Sequence, residues 1–232
     1  MNKNDRALLL GMLIGDGCLK TKHHVSGDGE KSTYYEYVIN HSIKQEEYLI
    51  FKRDLFHKIM GGKLPNLSYG KSAMNLGSVR FSRCHKSFRL LHKYLYSNNN
   101  KKFLTRRVLD YLNPQAIALW YMDDGGIKPS FRKDGSVSSC QMVLSTYCSE
   151  QQADLILLYF KERWGVCGIK KLHRKTKLWY LIFNTTEGRK LEELISPYII
   201  PFMEYKLPSK RITRALSTPT DNAVGDDIVL AT

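Results

Sequence analysis

The chain repeats itself, and that restricts the folds open to it more than any other feature. LLGMLIGDG at 9–17 and IALWYMDDGG at 117–126 each run an apolar helical pattern into an Asp-Gly. Asp16 maps onto Asp124 at an offset of 108. An Asp-Gly turn follows each, Asp28-Gly29 and Asp134-Gly135, at an offset of 106. Ser-x-x-Gln helix starts come next at Ser42 and Ser149, offset 107, and then Phe56 and Phe160 precede glycine stops at Gly61 and Gly165, both at offset 104. Five landmarks in one order at a nearly constant spacing mark two copies of a unit of about a hundred residues.

Each copy reads as helix, two strands, helix, two strands, helix. In the first, Leu8, Leu9, Met12 and Leu13 recur at helical spacing. CLKTKHHV and STYYEYVIN then read as a hairpin, and Ser42 with Gln45 reads as a capping box for the next helix. KLPNLSYG and MNLGSVRFS form a second predicted hairpin before a helix carrying Phe88, Leu91 and Leu95. The second copy starts at a helix over 114–123 and repeats the order through helix 150–164, CGIKKLHRK, LWYLIFNT and a last helix to Pro197. The expected organisation is therefore 1–96, an inter-unit connection at 97–113, a second unit at 114–208, and a partly disordered tail at 209–232.

Charge narrows the partner. The 232 residues carry a formal +14, and the last sixteen hold three acids and no base, so residues 1–216 carry +17. A basic folded body points to a polyanion, with nucleic acid ahead of a membrane surface. No apolar run approaches the roughly 18 residues of a span, and MNKNDRALLL has no secretory pattern. Five cysteines, none in C-x-x-C, suit reduced thiols in an intracellular reducing compartment, an organelle matrix or bacterial or phage cytoplasm. His23 and His24 read as polar residues on a strand surface.

Asp16 and Asp124 stand at C-terminal helix ends, where the macrodipole is negative and aspartate is disfavoured. The same misplacement at matched positions asks for a compensating cation. Both helices are apolar all round and are expected to be buried, packed side by side about a pseudo-twofold axis with their aspartates at one edge. Paired carboxylates repel unless a divalent ion lies between them, and hard oxygen ligands suit Mg²⁺. Beside a basic surface this is chemistry for phosphodiester hydrolysis. Lys20, Lys22, Lys128, Arg132, Lys133, Lys170, Lys171 and Arg174 fall on predicted hairpins, and a two-stranded ribbon fits the DNA major groove. His24, Arg80 and Gln141 complete the expected DNA-contact set.

LLGMLIGDG and IALWYMDDGG resemble the two signature motifs of the LAGLIDADG homing endonucleases in their single-chain, double-motif form. NNNKKFLT at 98–105 and PFMEYKLPSK at 201–210 are similar to two basic segments that follow the repeats in intron-encoded members, so the resemblance covers roughly 5–210. It implies an α+β fold of two pseudo-symmetric αββαββα units, each a four-stranded antiparallel saddle-shaped sheet with helices on one face. It implies that Asp16 and Asp124 are catalytic and bind metal, that Gly15 and Asp123 offer backbone carbonyls to it, and that Lys102 and Lys206 are the paired catalytic lysines. Mg²⁺, replaceable by Mn²⁺, would serve a monomer cutting both strands of a long asymmetric DNA site to leave short 3′ overhangs and so spread an intron. Ile14, Leu10, Leu119, Trp120 and Tyr121 depart from the family consensus. Two rival readings share the scaffold, an intron-encoded maturase binding intron RNA and a DNA-binding regulator without chemistry.

Overall fold

The computed structural model describes residues 1–25, 27, 29–71, 77–96 and 102–210. The chain divides after Tyr111 into two compact units. Unit 1 runs α1 (Lys3–Ile14), β1 (Cys18–Val25), β2 (Lys31–Ser42), α2 (Glu46–Met60), β3 (Ser68–Lys71), β4 (Gly77–Cys84), α3 (Phe88–Leu95) and a short α4 (Arg106–Leu109). Unit 2 runs α5 (Pro114–Asp124), β5 (Gly125–Phe131), β6 (Val137–Cys148), α6 (Glu150–Trp164), β7 (Ile169–Leu172), β8 (Trp179–Phe183) and α7 (Thr185–Ile195), and ends in a 3₁₀ segment, Pro201–Lys206. Each unit holds a four-stranded antiparallel sheet, in the orders β1-β2-β4-β3 and β5-β6-β8-β7. The expected pair of αββαββα units in an α+β fold is therefore present.

Strand alternation sorts each sheet into two faces. In unit 1, Tyr37, Ile39, Val79 and Phe81 are buried, and Tyr37 and Phe81 meet Phe56 of α2 while Tyr37 also meets Phe88 of α3. In unit 2, Met142, Leu144, Leu181 and Phe183 are buried, and Phe183 packs edge-on against Phe160 of α6. The helices cover one face of each sheet.

The two apolar helices are buried as expected, over Ala7–Ile14 of α1 and Ala116–Asp123 of α5. Asn2 and Asp5 form a capping box at the start of α1, and Asn113 with Pro114 starts α5. Past the helix ends, Gly17 and Gly125 sit where a side chain could not. A Cβ at Gly17 would lie 2.5 Å from the Met12 carbonyl oxygen, and one at Gly125 would strike the Tyr121 carbonyl and ring. The repeated Asp-Gly thus reflects a close backbone return onto the helix that precedes it.

The capping box expected at Ser42 and Gln45 does not form. Ser42 caps a 3₁₀ turn, Ile43–Gln45, accepting from the Lys44 N–H at 3.4 Å, and α2 starts only at Glu46. Gln45 instead turns its Oε1 to His41, 3.1 Å away. At the matched place Ser149 caps α6 by accepting from the Gln152 N–H. Of the expected connection, 97–101 lie outside the described residues, and residues 102–111 belong to unit 1, where the Phe103 N–H donates to the Leu95 carbonyl. Asp28 of the first Asp-Gly turn and the tail beyond Lys210 also lie outside the described residues.

Candidate active site

The helix end in each unit is completed by a lysine from far along the chain. In unit 1, Lys102 Nζ donates to the Ile14 carbonyl at 3.3 Å and to the Gly15 carbonyl. In unit 2, buried Lys206 donates to the Met122 carbonyl at 2.6 Å and to the Asp123 carbonyl at 3.0 Å. Ile14 and Gly15 stand 108 residues before Met122 and Asp123, so the two arrangements correspond atom for atom. The last carbonyls of a helix lack intrahelical donors and carry the negative end of the macrodipole. An ammonium there answers both deficits, and it offsets the cost of an aspartate at the next position. Gly15 and Asp123, expected to offer carbonyls to a metal, thus already accept from lysine; a carbonyl oxygen has a second lone pair.

Each lysine is itself held in place. Lys102 forms an antiparallel bridge with Tyr96, whose hydroxyl accepts from the Leu19 N–H at 2.9 Å. Burial pushes the Tyr96 phenol well above its ordinary range, so it stays neutral and can also donate. In unit 2 the Tyr121 hydroxyl lies 2.8 Å from the Gly126 carbonyl and 3.0 Å from the Lys206 carbonyl, and burial holds this phenol neutral too. Tyr121, one of the bulky departures in the second motif, therefore ties the lysine segment to the helix that bears Asp124.

The two aspartates are supported differently. Asp124 accepts from the Trp120 indole N–H at 3.0 Å, one turn back on its own helix. The matched residue in α1 is Met12, which has no such donor. Asp16 instead has His41 Nδ1 3.6 Å from its Oδ2. Behind His41 stands Lys52, fully buried in α2, with Nζ 3.2 Å from His41 Nε2 and 4.3 Å from the Tyr48 ring centre. Asp16 and His41 are among the described residues whose ligand atoms lie close enough to share a cation, and the Asp16 side chain is 41% exposed. His41, Lys52 and Trp120 were not singled out for the site. Lys52 leaves one trace in the sequence: it occupies the apolar stripe of α2, one turn after Tyr48 and one turn before Phe56.

The expected DNA-contact residues separate by face. In unit 1, Lys20, Lys22 and His24 pair with Glu36, Tyr34 and Ser32, opposite in parity to buried Leu19 and Tyr37, so they lie on the face away from the helices. Arg80 shares that face, paired with Asn40. In unit 2, Lys128 pairs with Gln141, and Lys171 pairs with Tyr180, also away from the helices. Arg132 and Lys133 are exposed at one hairpin tip and Arg174 at another. Lys170 is different. It pairs with buried Leu181 and reaches the helix side, where Glu150 and Asp154 of α6 hold it at 2.8 and 2.7 Å. Those acids raise its pKa, and strand parity removes it from the set facing outward.

Comparison with known proteins agrees with this architecture. The chain is 28% identical to a RecA protein of Mycobacterium gastri over 91% of its own length and 49% of that protein's. It thus spans about half the length of the RecA relatives it matches. It is 26% identical to a probable intron-encoded endonuclease 1 of Wickerhamomyces canadensis, covering 89% of this chain and 85% of that one. Among solved structures it resembles the homing endonuclease I-WcaI bound to its DNA recognition sequence, with TM-score 0.67, 21% identity and coverage of 89% and 86%. The sequence profile of the LAGLIDADG DNA endonuclease family matches residues 6–191, most of the chain. The chain belongs to the LAGLIDADG DNA endonuclease family.

Proposed function

We propose that this protein is a site-specific endonuclease that hydrolyses both strands of a long, asymmetric DNA site. The observation that carries the reading is the duplicated helix end: an aspartate after an apolar helix, with a lysine on the two carbonyls before it, in both units. One such end would be a way to stop a helix. Two matched ends retain a costly acid in each unit, which a purely structural role does not require.

Asp16 and Asp124 are the residues that would hold a divalent ion, Mg²⁺ or Mn²⁺ in its place. Their carboxylates are hard oxygen donors, and Asp16 is open to solvent, so the donor set fits such an ion. When bound, the ion supplies Lewis acidity and lowers the pKa of a water. Lys102 and Lys206 fix the helix ends so that each carboxylate projects from a rigid support, and their charge favours an approaching phosphate. Lys20, Lys22, His24, Arg80, Lys128, Gln141 and Lys171 present donors on the outward sheet faces, with Arg132, Lys133 and Arg174 at the hairpin tips; these would track phosphates and read base edges. Short 3′ overhangs and a role in intron mobility complete the proposal; the probable intron-encoded endonuclease of Wickerhamomyces canadensis supports the link to an intron.

The test is cleavage. A target recovered by cutting selection from a randomised DNA library is placed in a plasmid and incubated with protein and Mg²⁺. Linear product is expected, and Asp16→Asn and Asp124→Asn each abolish it while leaving binding of the target intact. Cleavage that survives both substitutions, or a wild type that selects no target, overturns the reading.

A further inference from the structure

The two units match in element order and sheet order, yet behind the aspartates their buried side chains differ in kind. Helices α2 and α6 are both fifteen residues long, and the four buried positions of α2, Tyr48, Leu49, Lys52 and Phe56, match Gln152, Ala153, Ile156 and Phe160 of α6, which buries Tyr159 in addition. Lys52 therefore stands where unit 2 has Ile156, and both are completely buried. On the helix side of the adjoining strands, Tyr37 and Ile39 of β2 answer to Met142 and Leu144 of β6, and beyond a register shift after Leu144 the place of His41, opposite Val79, is taken by Cys148, opposite Trp179. Cys148 turns its thiol to the Thr146 hydroxyl at 3.4 Å and the Trp179 carbonyl at 3.9 Å and so is directed along its own sheet. Unit 1 thus has an ammonium and an imidazole in line behind its aspartate, and unit 2 has an isoleucine and a cysteine at the matched places.

A buried ammonium is costly unless it is paired and hydrogen-bonded. Lys52 meets that cost with His41 Nε2 at 3.2 Å and the Tyr48 ring at 4.3 Å. An ammonium only donates, so His41 Nε2 must accept and the ring proton must sit on Nδ1. Nδ1 is the atom that faces Gln45 Oε1 at 3.1 Å and Asp16 Oδ2 at 3.6 Å. Lys52 thereby selects the imidazole tautomer that turns an N–H towards the carboxylate, and Gln45 holds the ring's plane.

We propose that Lys52 and His41 are positioning residues for Asp16 with no equivalent in unit 2, so the two units place their aspartates by unequal means and cut their strands at separately adjustable rates. This rests on the nuclease reading above, and two measurements keep its fate separate from that reading. Lys52→Met keeps an unbranched chain of similar length in the same buried slot; it removes a buried charge with its desolvation cost but leaves His41 Nε2 without its donor, so near-ultraviolet dichroism first establishes that the variant is folded.

The first measurement needs no DNA or metal. Nitrogen-15 NMR of the imidazoles is expected to show His41 as the Nδ1–H tautomer in the wild type and a mixture in Lys52→Met. The second uses the plasmid target with each strand end-labelled. Lys52→Met is expected to slow cutting of one strand about tenfold, the usual scale for losing a residue that orients a metal-binding side chain, and to accumulate a circle nicked always in the other strand. Ile156→Met, the same side chain at the matched place, leaves both rates unchanged. A His41 tautomer unaltered in Lys52→Met overturns the proposal, as does equal slowing of both strands or slowing of neither. A wild type that cuts nothing overturns the nuclease reading instead, and the tautomer then decides the Lys52–His41 relation alone.

Discussion

Lys206 donates to Met122 at 2.6 Å and so places a buried cation at the negative end of α5, eighty-four residues earlier in the chain. Lys102 does the same for α1 at Ile14. The relationship makes each lysine a structural element of its unit.

Lys206→Met is therefore expected to lower stability and activity together. Two charge-assisted hydrogen bonds to carbonyls are lost and the carbonyls stay buried, a cost of about 2–4 kcal/mol. Denaturant melts followed by near-ultraviolet dichroism check the first effect, and cleavage at a temperature where the variant remains folded checks the second. Unchanged stability would remove Lys206 from the helix end.

Binding to the target is expected to weaken steeply with salt, because neutralised phosphates release counterions. Lys20→Ala, Lys22→Ala and Lys171→Ala each lower the slope of log affinity against log salt by about 0.9 if each meets one phosphate. Lys170→Ala leaves the slope unchanged, since Glu150 and Asp154 already hold that ammonium. Fluorescence anisotropy over a salt series separates the two classes, and equal slopes for all four would undo the assignment by face.

Stability of unit 1 is expected to fall as the solution is acidified through the histidine range. Burial holds the His92 pKa below its ordinary 6.5. The ring stacks on Tyr96 and lies against Tyr35. The unfolded chain then binds a proton that the folded chain refuses, so this stability is complete above pH 6.5 and is lost as pH falls towards the lowered value. Melting temperatures of the wild type and His92→Phe, compared at pH 7.5 and 5.5, are expected to show the smaller acid drop in the variant.

Glu192 accepts from the Ser209 N–H at 3.1 Å and from the Ser209 hydroxyl, anchoring the chain just after Lys206. Glu192→Ala is expected to release that segment, with faster limited proteolysis around Pro208 and a loss of about 1.5–3 kcal/mol. Cleavage by protease at the wild-type rate would show the anchor lies elsewhere.

How much of this was legible beforehand differs by residue. The repeat predicted both units and their hairpins, because period-2 and period-3.6 patterns are local and were written twice, whereas the central pairs β2-β4 and β6-β8 join strands separated by a helix. The need for a cation near Asp16 and Asp124 also followed from helix electrostatics, although which cation closes each end is set by folding that brings residue 102 to 15 and 206 to 123. Ser42 misled because its neighbour Gln45 had a nearer partner in His41, a contact that local capping rules do not contain. Lys170 misled because a single step in strand parity moves a side chain to the opposite face. His41 and Lys52 escaped notice because pairing across a strand and a helix leaves no periodic signature, only a charge in an apolar stripe.

The distance in sequence between α5 and the lysine that closes it has a bearing on synthesis. A ribosome must add some eighty residues after Met122 before Lys206 exists to meet it. During that interval α5 ends in bare carbonyls beside an aspartate. A nascent chain therefore completes this helix end only once the segment bearing Lys206 has emerged and packed against it.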